Sequence, residues 1–254
     1  MTDLAGKKGL VVGIANDMSI AWGCAQNFRK AGAELAVTYL NEKAEAFVRP
    51  LADALDSQLV MPCNVEHPGE LEAVFAAITQ HWGKLDFVLH SIAYAPMDDL
   101  RGRVIDCSEQ GFLRAMSVSC HSFIRMAKLA EPLMQHGGTL LTMSYYGAEK
   151  VVDHYGLMGP VKAALESTAR YLAHELGPKQ IRVHALSPGP LLTRAASGIA
   201  HFDDLLSQAV ERAPQHQLVD IDDIGAVAAF LVSDAAHALT GSRLYVDAGY
   251  HIVG

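Results

Sequence analysis

The sequence is short of several things, and each shortage excludes a class. Its four cysteines, Cys24, Cys63, Cys107 and Cys120, contain no C-x-x-C pair, which argues against a zinc ribbon or a thioredoxin-like redox site. Their mostly apolar neighbours read as ordinary core thiols in a reduced, cytoplasmic setting. Twelve histidines include no H-E-x-x-H or related spacing, so no metal site is expected. No apolar run approaches the ~20 residues of a membrane span. The N-terminus carries Lys7 and Lys8 before a short apolar run that stops at Asn16 and Asp17 without a cleavage site, so no leader peptide is expected. Positive charge is scarce: 20 Lys and Arg stand against 28 Asp and Glu, for a net charge of −8. That balance argues against a nucleic-acid face and a polybasic membrane contact. A G-x-S-x-G nucleophile elbow is missing, which discounts a serine hydrolase.

What is present is a globular composition. The 254 residues are 50% apolar and 19% charged, enough to bury a full core without disulfides or metals. Strand-like and helix-like segments alternate throughout. Gly9-Leu-Val-Val-Gly13 is a short apolar run ending at glycine, followed by a helical stripe of Ile20, Cys24 and Phe28 that Gly32 can cap. Further strands are expected at 34–39, 59–61, 86–90, 139–143, 181–185 and 243–246. Helices are expected at 42–55, 71–82, 111–134, 158–176 and 221–233. The pattern predicts one α/β domain over residues 1–254, a doubly wound Rossmann-type seven-stranded parallel sheet with helices on both faces. Ligands of such sheets bind beyond the carboxyl ends of the strands, so the residues just after each strand are the candidates.

After the first strand, Gly13 and Ala15 allow backbone to approach a pyrophosphate, and Ser19 can cap the helix whose N-terminus favours that anion. The strict G-x-G-x-x-G spacing is absent. After the second strand, Leu40 is apolar and no arginine is present to take a 2′-phosphate, which favours NADH over NADPH, although Lys43 lies close by. After the third, the Asn64 amide, with Val65, can flank an adenine. Tyr155 and Lys162 stand seven apart, and a helix starting slightly early would put them on one face, where the ammonium would lower the phenol pKa. Tyr145, at the end of the fifth strand, can reach the same cavity. After the sixth strand, Ser187-Pro188-Gly189-Pro190 shapes a wall from which backbone at Leu191 and the Thr193 hydroxyl can hold a carboxamide. His90, at a strand end, is expected to be structural.

Five matches stand in order: Gly13-x-Ala15 with Ser19-Ile20-Ala21-Trp22-Gly23; His90-Ser91-Ile92-Ala93; Ser144-Tyr145; Tyr155-x2-Met158-Gly159 with Lys162-Ala163; and Ala195-Ala196-Ser197-Gly198-Ile199. Together they resemble the short-chain dehydrogenase/reductase superfamily over nearly the full chain, and more closely its enoyl-acyl-carrier-protein reductase branch, which carries the longer tyrosine–lysine spacing. The resemblance implies hydride transfer from NADH to the β-carbon of a trans-2-enoyl thioester in fatty-acid elongation. It implies that Tyr155 donates to the thioester oxygen, that Lys162 binds the nicotinamide ribose, and that Tyr145 shapes the acyl site. Gly13, Ala15, Ser19 and Ile20 would meet the cofactor phosphates and ribose, and Asn64 and Val65 the adenine. Ser91, Ile92 and Ala93 would line the nicotinamide, with Leu191 and Thr193 on its carboxamide. A homotetramer and a substrate loop at about 190–212 are also implied.

The sequence departs from that family in three places. Leu40 stands where glutamine is common and Asn64 where aspartate is common. The helix that docks an acidic acyl carrier protein is commonly basic, but the stretch here reads Ala200-His-Phe-Asp203-Asp204-Leu. Seven acids (Asp203, Asp204, Glu211, Asp220, Asp222, Asp223 and Asp234) face Arg212 alone between positions 200 and 234. An acidic docking patch is therefore expected, with weak carrier docking. Two alternatives follow: a paralogue acting on a coenzyme A thioester or another activated alkene or carbonyl, and a non-catalytic NAD-binding sensor. Retention of Tyr145, Tyr155 and Lys162 together argues against the sensor.

Overall fold

The computed structural model describes residues 2–191, 193 and 202–253, with side chains excepted at 202–204. In chain order the elements are β1 (Lys8–Val12), α1 (Ile20–Lys30), β2 (Glu34–Tyr39), α2 (Glu42–Ala54), β3 (Leu59–Pro62), α3 (Glu70–Trp82), β4 (Phe87–His90), α4 (Met97–Arg101) and α5 (Glu109–Met116). After a π-helical turn, Ser117–His121, come α6 (Ser122–Ala130), β5 (Gly138–Met143), α7 (Met158–Leu176), β6 (Ile181–Pro188), α8 (Phe202–Arg212), α9 (Ile221–Val232) and β7 (Arg243–Val246).

The strands form one sheet in the order β3-β2-β1-β4-β5-β6-β7, every pair parallel. Both faces are covered, so the strands read as continuous apolar runs rather than alternating ones. On one face α3, α6 and α7 pack a core around Leu10, Val88, Leu140 and Val183. On the other, α1, α2 and α9 pack around Val11, Val37, Leu89 and Leu141. Successive strand residues thus feed opposite cores. Among the described residues no helix is long and apolar enough to cross a membrane.

The helix ends follow their sequence signals. Gly32, at φ +102°, closes α1 in a Schellman turn: the Ala33 amide donates to Phe28 O and the Gly32 amide to Arg29 O, both 3.0 Å. Asp220 begins α9 with a capping box, accepting from the Asp222 and Asp223 amides while its own amide donates to Asp223 Oδ2. At the other end of α9, the Arg182 guanidinium donates to the carbonyls of Leu231, Ser233 and Ala236.

Two expectations change. The long helix expected at 111–134 is α5 and α6 joined through the π turn. The segment read as a substrate loop at 190–212 contains a helix, α8, over Phe202–Arg212. Leu206 and Ala209 are buried there at i and i+3, a helical stripe too short and too mixed to stand out beside the preceding Pro-Gly-Pro run.

Two histidines are locked into the sheet as neutral rings. His90 on β4 is held down to about 3 and His184 on β6 to about 4, in both cases first by burial. The folded pKa lies below the unfolded value, so this stability is complete above pH ~6.5 and is lost as pH falls towards 4. Each ring costs up to about 1.4 kcal/mol per pH unit within that window. Urea unfolding of His184→Met between pH 7.5 and 4.5 is therefore expected to show a shallower loss than wild type. Parallel curves would contradict the assignment.

Candidate active site

Because every strand runs the same way, all seven carboxyl ends lie along one edge, and the strand order reverses between β1 and β4. The chain leaving β1 and the chain leaving β4 touch there. Gly13 has φ +119°, and a Cβ on it would lie 2.1 Å from Ser91 O, so glycine is required for both conformation and space. Ser91 in turn donates its amide to Val12 O at 2.9 Å. Ser19 occupies the N-cap position of α1, but its hydroxyl does not cap the helix as expected. It turns back and accepts from the Ala15 and Asn16 amides, 3.0 Å each, and donates to Asn16 Oδ1 at 3.1 Å. The side chain thus fixes the Gly13–Asn16 turn, because two amides of a tight turn offer more to one hydroxyl than a single helix N–H. Ile20 opens α1 directly behind it.

The adenosine side is arranged along β2 and β3. Leu40 follows β2 and is 55% exposed. Asn64 is half-buried: its amide N–H donates to Glu70 Oε2 at 2.6 Å and its Oδ1 accepts from the Glu66 amide at 3.0 Å. Its side-chain carbonyl is therefore committed to a local turn. Val65 is buried, and its carbonyl accepts from Arg125 at 2.8 Å.

After β4, Ile92 packs on the α3/α6/α7 core and Ala93 is exposed. The next residue, Tyr94, is pinned twice by Ser119 of the π turn. The Tyr94 amide donates to Ser119 Oγ at 2.9 Å, and that hydroxyl donates to Tyr94 O at 3.2 Å. His90 braces the same strand end. Ser122 Oγ donates to Val118 O at 2.6 Å, so it accepts from His90 Nε2–H at 2.8 Å. Nδ1 of His90 then accepts from Thr142 Oγ1 at 2.8 Å. The structural role expected of His90 is what its contacts describe.

The tyrosines and the lysine converge beside β5. The rings of Tyr145 and Tyr155 lie 4.8 Å apart at 60°. Tyr155 precedes α7 in a turn, so the early helix start that would place it and Lys162 on one helical face does not occur. Its phenol is not lowered by the lysine either. Burial pushes it up, with Tyr145 and Glu166 acting in the same direction. Tyr145 is raised first by burial as well, and its hydroxyl is buried without a hydrogen-bond partner. Both phenols are therefore protonated donors at neutral pH. Lys162 is 6% exposed, donates to Met143 O at 2.6 Å, and is held down to about 8, chiefly by burial.

Leu191 packs against the α1/α2/α9 core, and Thr193 is half-buried. The Ala195–Ile199 motif lies outside the described residues. No group of three or more His, Cys, Asp or Glu among the described residues can hold a metal ion.

Part of the acidic stretch expected to form a docking patch has partners among the described residues. Asp220 and Asp223 form the α9 capping box, Asp222 pairs with Asn27 and Lys30, and Asp234 pairs with Lys7. Four of the seven acids are thus spent on caps and ion pairs distributed over the surface, and the side chains of Asp203 and Asp204 lie outside the described residues.

Three contributors escaped the sequence reading. Glu166, buried on α7, accepts from Ser144 Oγ at 2.6 Å, and Arg243 of β7 donates to it at 2.9 Å. The signal for Glu166 was its place four residues after Lys162; Arg243 had no local signal. Gly147 is the third. A Cβ there would sit 2.5 and 2.8 Å from the Tyr155 ring and 3.3 Å from that of Tyr145. Gly147→Ala is expected to displace the Tyr155 ring, to cost about 1–3 kcal/mol in unfolding free energy, and to change the near-ultraviolet tyrosine dichroism while leaving the far-ultraviolet spectrum intact. An unchanged near-ultraviolet spectrum would rule out that contact.

The chain is similar to known proteins over nearly its whole length. The family model described as enoyl-(acyl carrier protein) reductase matches residues 13–251. Enoyl-(acyl-carrier-protein) reductase (NADH) 1 of Rhizobium meliloti is 45% identical, covering 98% of this chain and 92% of that protein. The corresponding NADH enzyme of Bacillus cereus is 45% identical over 99% of both chains. Among solved structures, the Anaplasma phagocytophilum reductase in complex with NAD superposes with a TM-score of 0.95 at 46% identity, covering 99% of this chain and 96% of that one. The Bacillus cereus enzyme with NADP+ and indole naphthyridinone gives 0.97 at 44% identity over the full length of both.

Proposed function

Since the chain belongs to the enoyl-(acyl carrier protein) reductase family, we propose that it is an NADH-dependent reductase of trans-2-enoyl thioesters carried on acyl carrier protein, acting in fatty-acid synthesis. The single observation that carries the chemistry is the ring contact of Tyr145 and Tyr155 beside the end of β5, with both phenols pushed upward by burial.

The donor set suits a dinucleotide. An ammonium has three N–H donors, and the Met143 carbonyl takes one from Lys162, which leaves two for the vicinal hydroxyls of a ribose. Gly13 with Ala15 and Ile20 would meet the pyrophosphate, and the Ser19 hydroxyl would hold that turn in shape. Asn64 would present its NH2 to the adenine, with Val65 behind it. Ser91, Ile92 and Ala93 would flank the nicotinamide, and Leu191 and Thr193 would hold its carboxamide. Leu40 offers no charge to a 2′-phosphate, in keeping with NADH. When bound, NADH supplies a hydride for the β-carbon of the substrate.

The protein's part is to stabilise the negative charge that develops on the thioester oxygen. Tyr155 would donate to that oxygen. Its raised pKa suits a donor that stays protonated, and a preorganised donor in a dry site contributes more than the same bond in water. Tyr145 would pack against the Tyr155 ring and offer its own unpartnered hydroxyl to the acyl thioester. Lys162 would add positive potential beneath both.

Several apolar side chains on α5, α6 and α7 are exposed, including Phe112, Leu113, Ile124 and Tyr171. A homotetramer would cover such a surface, and we propose that state.

Tyr155→Phe is expected to lower kcat by about 10²-fold or more while leaving NADH affinity near wild type. Equal turnover would remove Tyr155 from this role. A paired assay following NADH and NADPH absorbance is expected to favour NADH, with a higher kcat/KM for enoyl groups on acyl carrier protein than on coenzyme A. Equal kcat/KM values would favour a coenzyme A paralogue, and binding without turnover would favour a sensor.

A further inference from the structure

Lys162 is an ammonium in a place that resists charge. From β4 it faces His90, whose ring is neutral; from the π turn it faces the Cys120 thiol; and the β6 residues packed on this side of the sheet, Val183 and Ala185, are apolar. On its own helix the residue one turn further is Glu166, which is 5% exposed. Residues four apart on a helix lie on one face. Both oxygens of that carboxylate are engaged. Oε1 accepts from Ser144 Oγ at 2.6 Å, and Oε2 accepts from Arg243 Nη1 at 2.9 Å. Arg243 also pairs with Glu149, whose Oε2 accepts from the Tyr245 hydroxyl at 2.5 Å. A chain of charge therefore runs from Glu149 at the surface, through Arg243 and Glu166, to the neighbourhood of Lys162 and the residue preceding Tyr145.

We propose that Glu166 is a positioning residue that keeps Lys162 charged beneath the cofactor site, and that Arg243 tempers the strength of that charge. Burying a carboxylate is costly unless something uses it, and the reductase chemistry assigns Glu166 no contact with substrate. Its negative charge opposes the loss of the Lys162 proton that burial favours. Arg243 draws part of that charge the other way and fixes the carboxylate so that it also holds Ser144. The two residues should therefore act on Lys162 with opposite signs, which a purely structural role for the network would not produce.

The idea rests on Lys162 binding the cofactor ribose, so its test has one reading that needs no cofactor. The Lys162 ammonium is followed by lysine side-chain NMR on labelled protein, with its signal assigned by loss in Lys162→Met. Glu166→Gln is expected to lower the Lys162 midpoint by about one to two pH units, and Arg243→Gln to raise it. Fluorescence titration with NADH from pH 6.5 to 9.5 is expected to show wild-type affinity falling several-fold as pH rises through about 8. That fall should begin at lower pH in Glu166→Gln and at higher pH in Arg243→Gln. An unmoved midpoint in Glu166→Gln, or shifts of one sign in both variants, would overturn the proposal. Should Glu166→Gln not fold, the absence of an upward shift in Arg243→Gln overturns it alone. If NADH fails to bind the wild type at any pH, the cofactor reading is lost while the NMR midpoints still decide the role of Glu166.

Discussion

The hydrogen bond from Lys162 to the Met143 carbonyl is the constraint on which the site depends. It joins the first turns of α7 to the last residue of β5 at 2.6 Å, inside the protein. Once that bond is made, the chain leaving β5 must carry Ser144 and Tyr145 past the lysine, and the turn leading into α7 must bring Tyr155 over the Tyr145 ring. A buried ammonium is costly, and a helix would ordinarily place such a residue on its wet face. The sheet edge offers what solvent would otherwise supply: a carbonyl, a carboxylate one helical turn away, and the β-carboxyl edge, where ligand oxygens can complete the remaining donors.

The rest of the edge is organised so that polar groups are already occupied before any ligand arrives. Ser19 takes the amides of its own turn, Ser119 clamps both backbone groups of Tyr94, and His90 is bonded through both ring nitrogens. Preorganisation of this kind leaves few donors without a partner, and the Tyr145 hydroxyl is one that remains. A group held still and dry by its surroundings costs little reorganisation when charge develops nearby, and the packing around Tyr155, Gly147 included, holds that ring in such a state.

The architecture was legible because its signals are local. Short apolar runs ending at glycine or proline, and helical stripes such as Ile20, Cys24 and Phe28, specify β and α segments without any knowledge of neighbours. Alternation then leaves few topologies. Gly13 and the Tyr155–Lys162 spacing could be singled out for the same reason. The protonation states could not. Sequence spacing suggested an ammonium lowering a phenol, but desolvation dominates at Tyr155, and burial is a property of the whole packed core rather than of seven residues. Ser19 failed as a helix cap for a related reason: the competing donors, the Ala15 and Asn16 amides, lie in the turn before it, which only the folded backbone defines.

Charge shows the same limit more sharply. A run of seven acids against one arginine reads as a single negative face when it is laid out along a line. Folding disperses it, because Asp220 and Asp223 serve the first turn of α9, Asp222 reaches across to Asn27 and Lys30 of α1, and Asp234 meets Lys7 before β1. A carboxylate paired with an ammonium has its field largely cancelled at a distance, and one that caps a helix is offset in part by the positive end of the dipole, so both repel an acidic partner less than their formal charge implies. The sequence sum of −8 therefore sets the long-range potential of the molecule, while the local field at any one place depends on how its carboxylates are partnered. Four of the surface carboxylates are partnered locally, whereas the carboxylate nearest Lys162 is held by a network that runs from α7 to β7. That difference in treatment, more than the number of charges of either sign, separates the surface of this protein from its site.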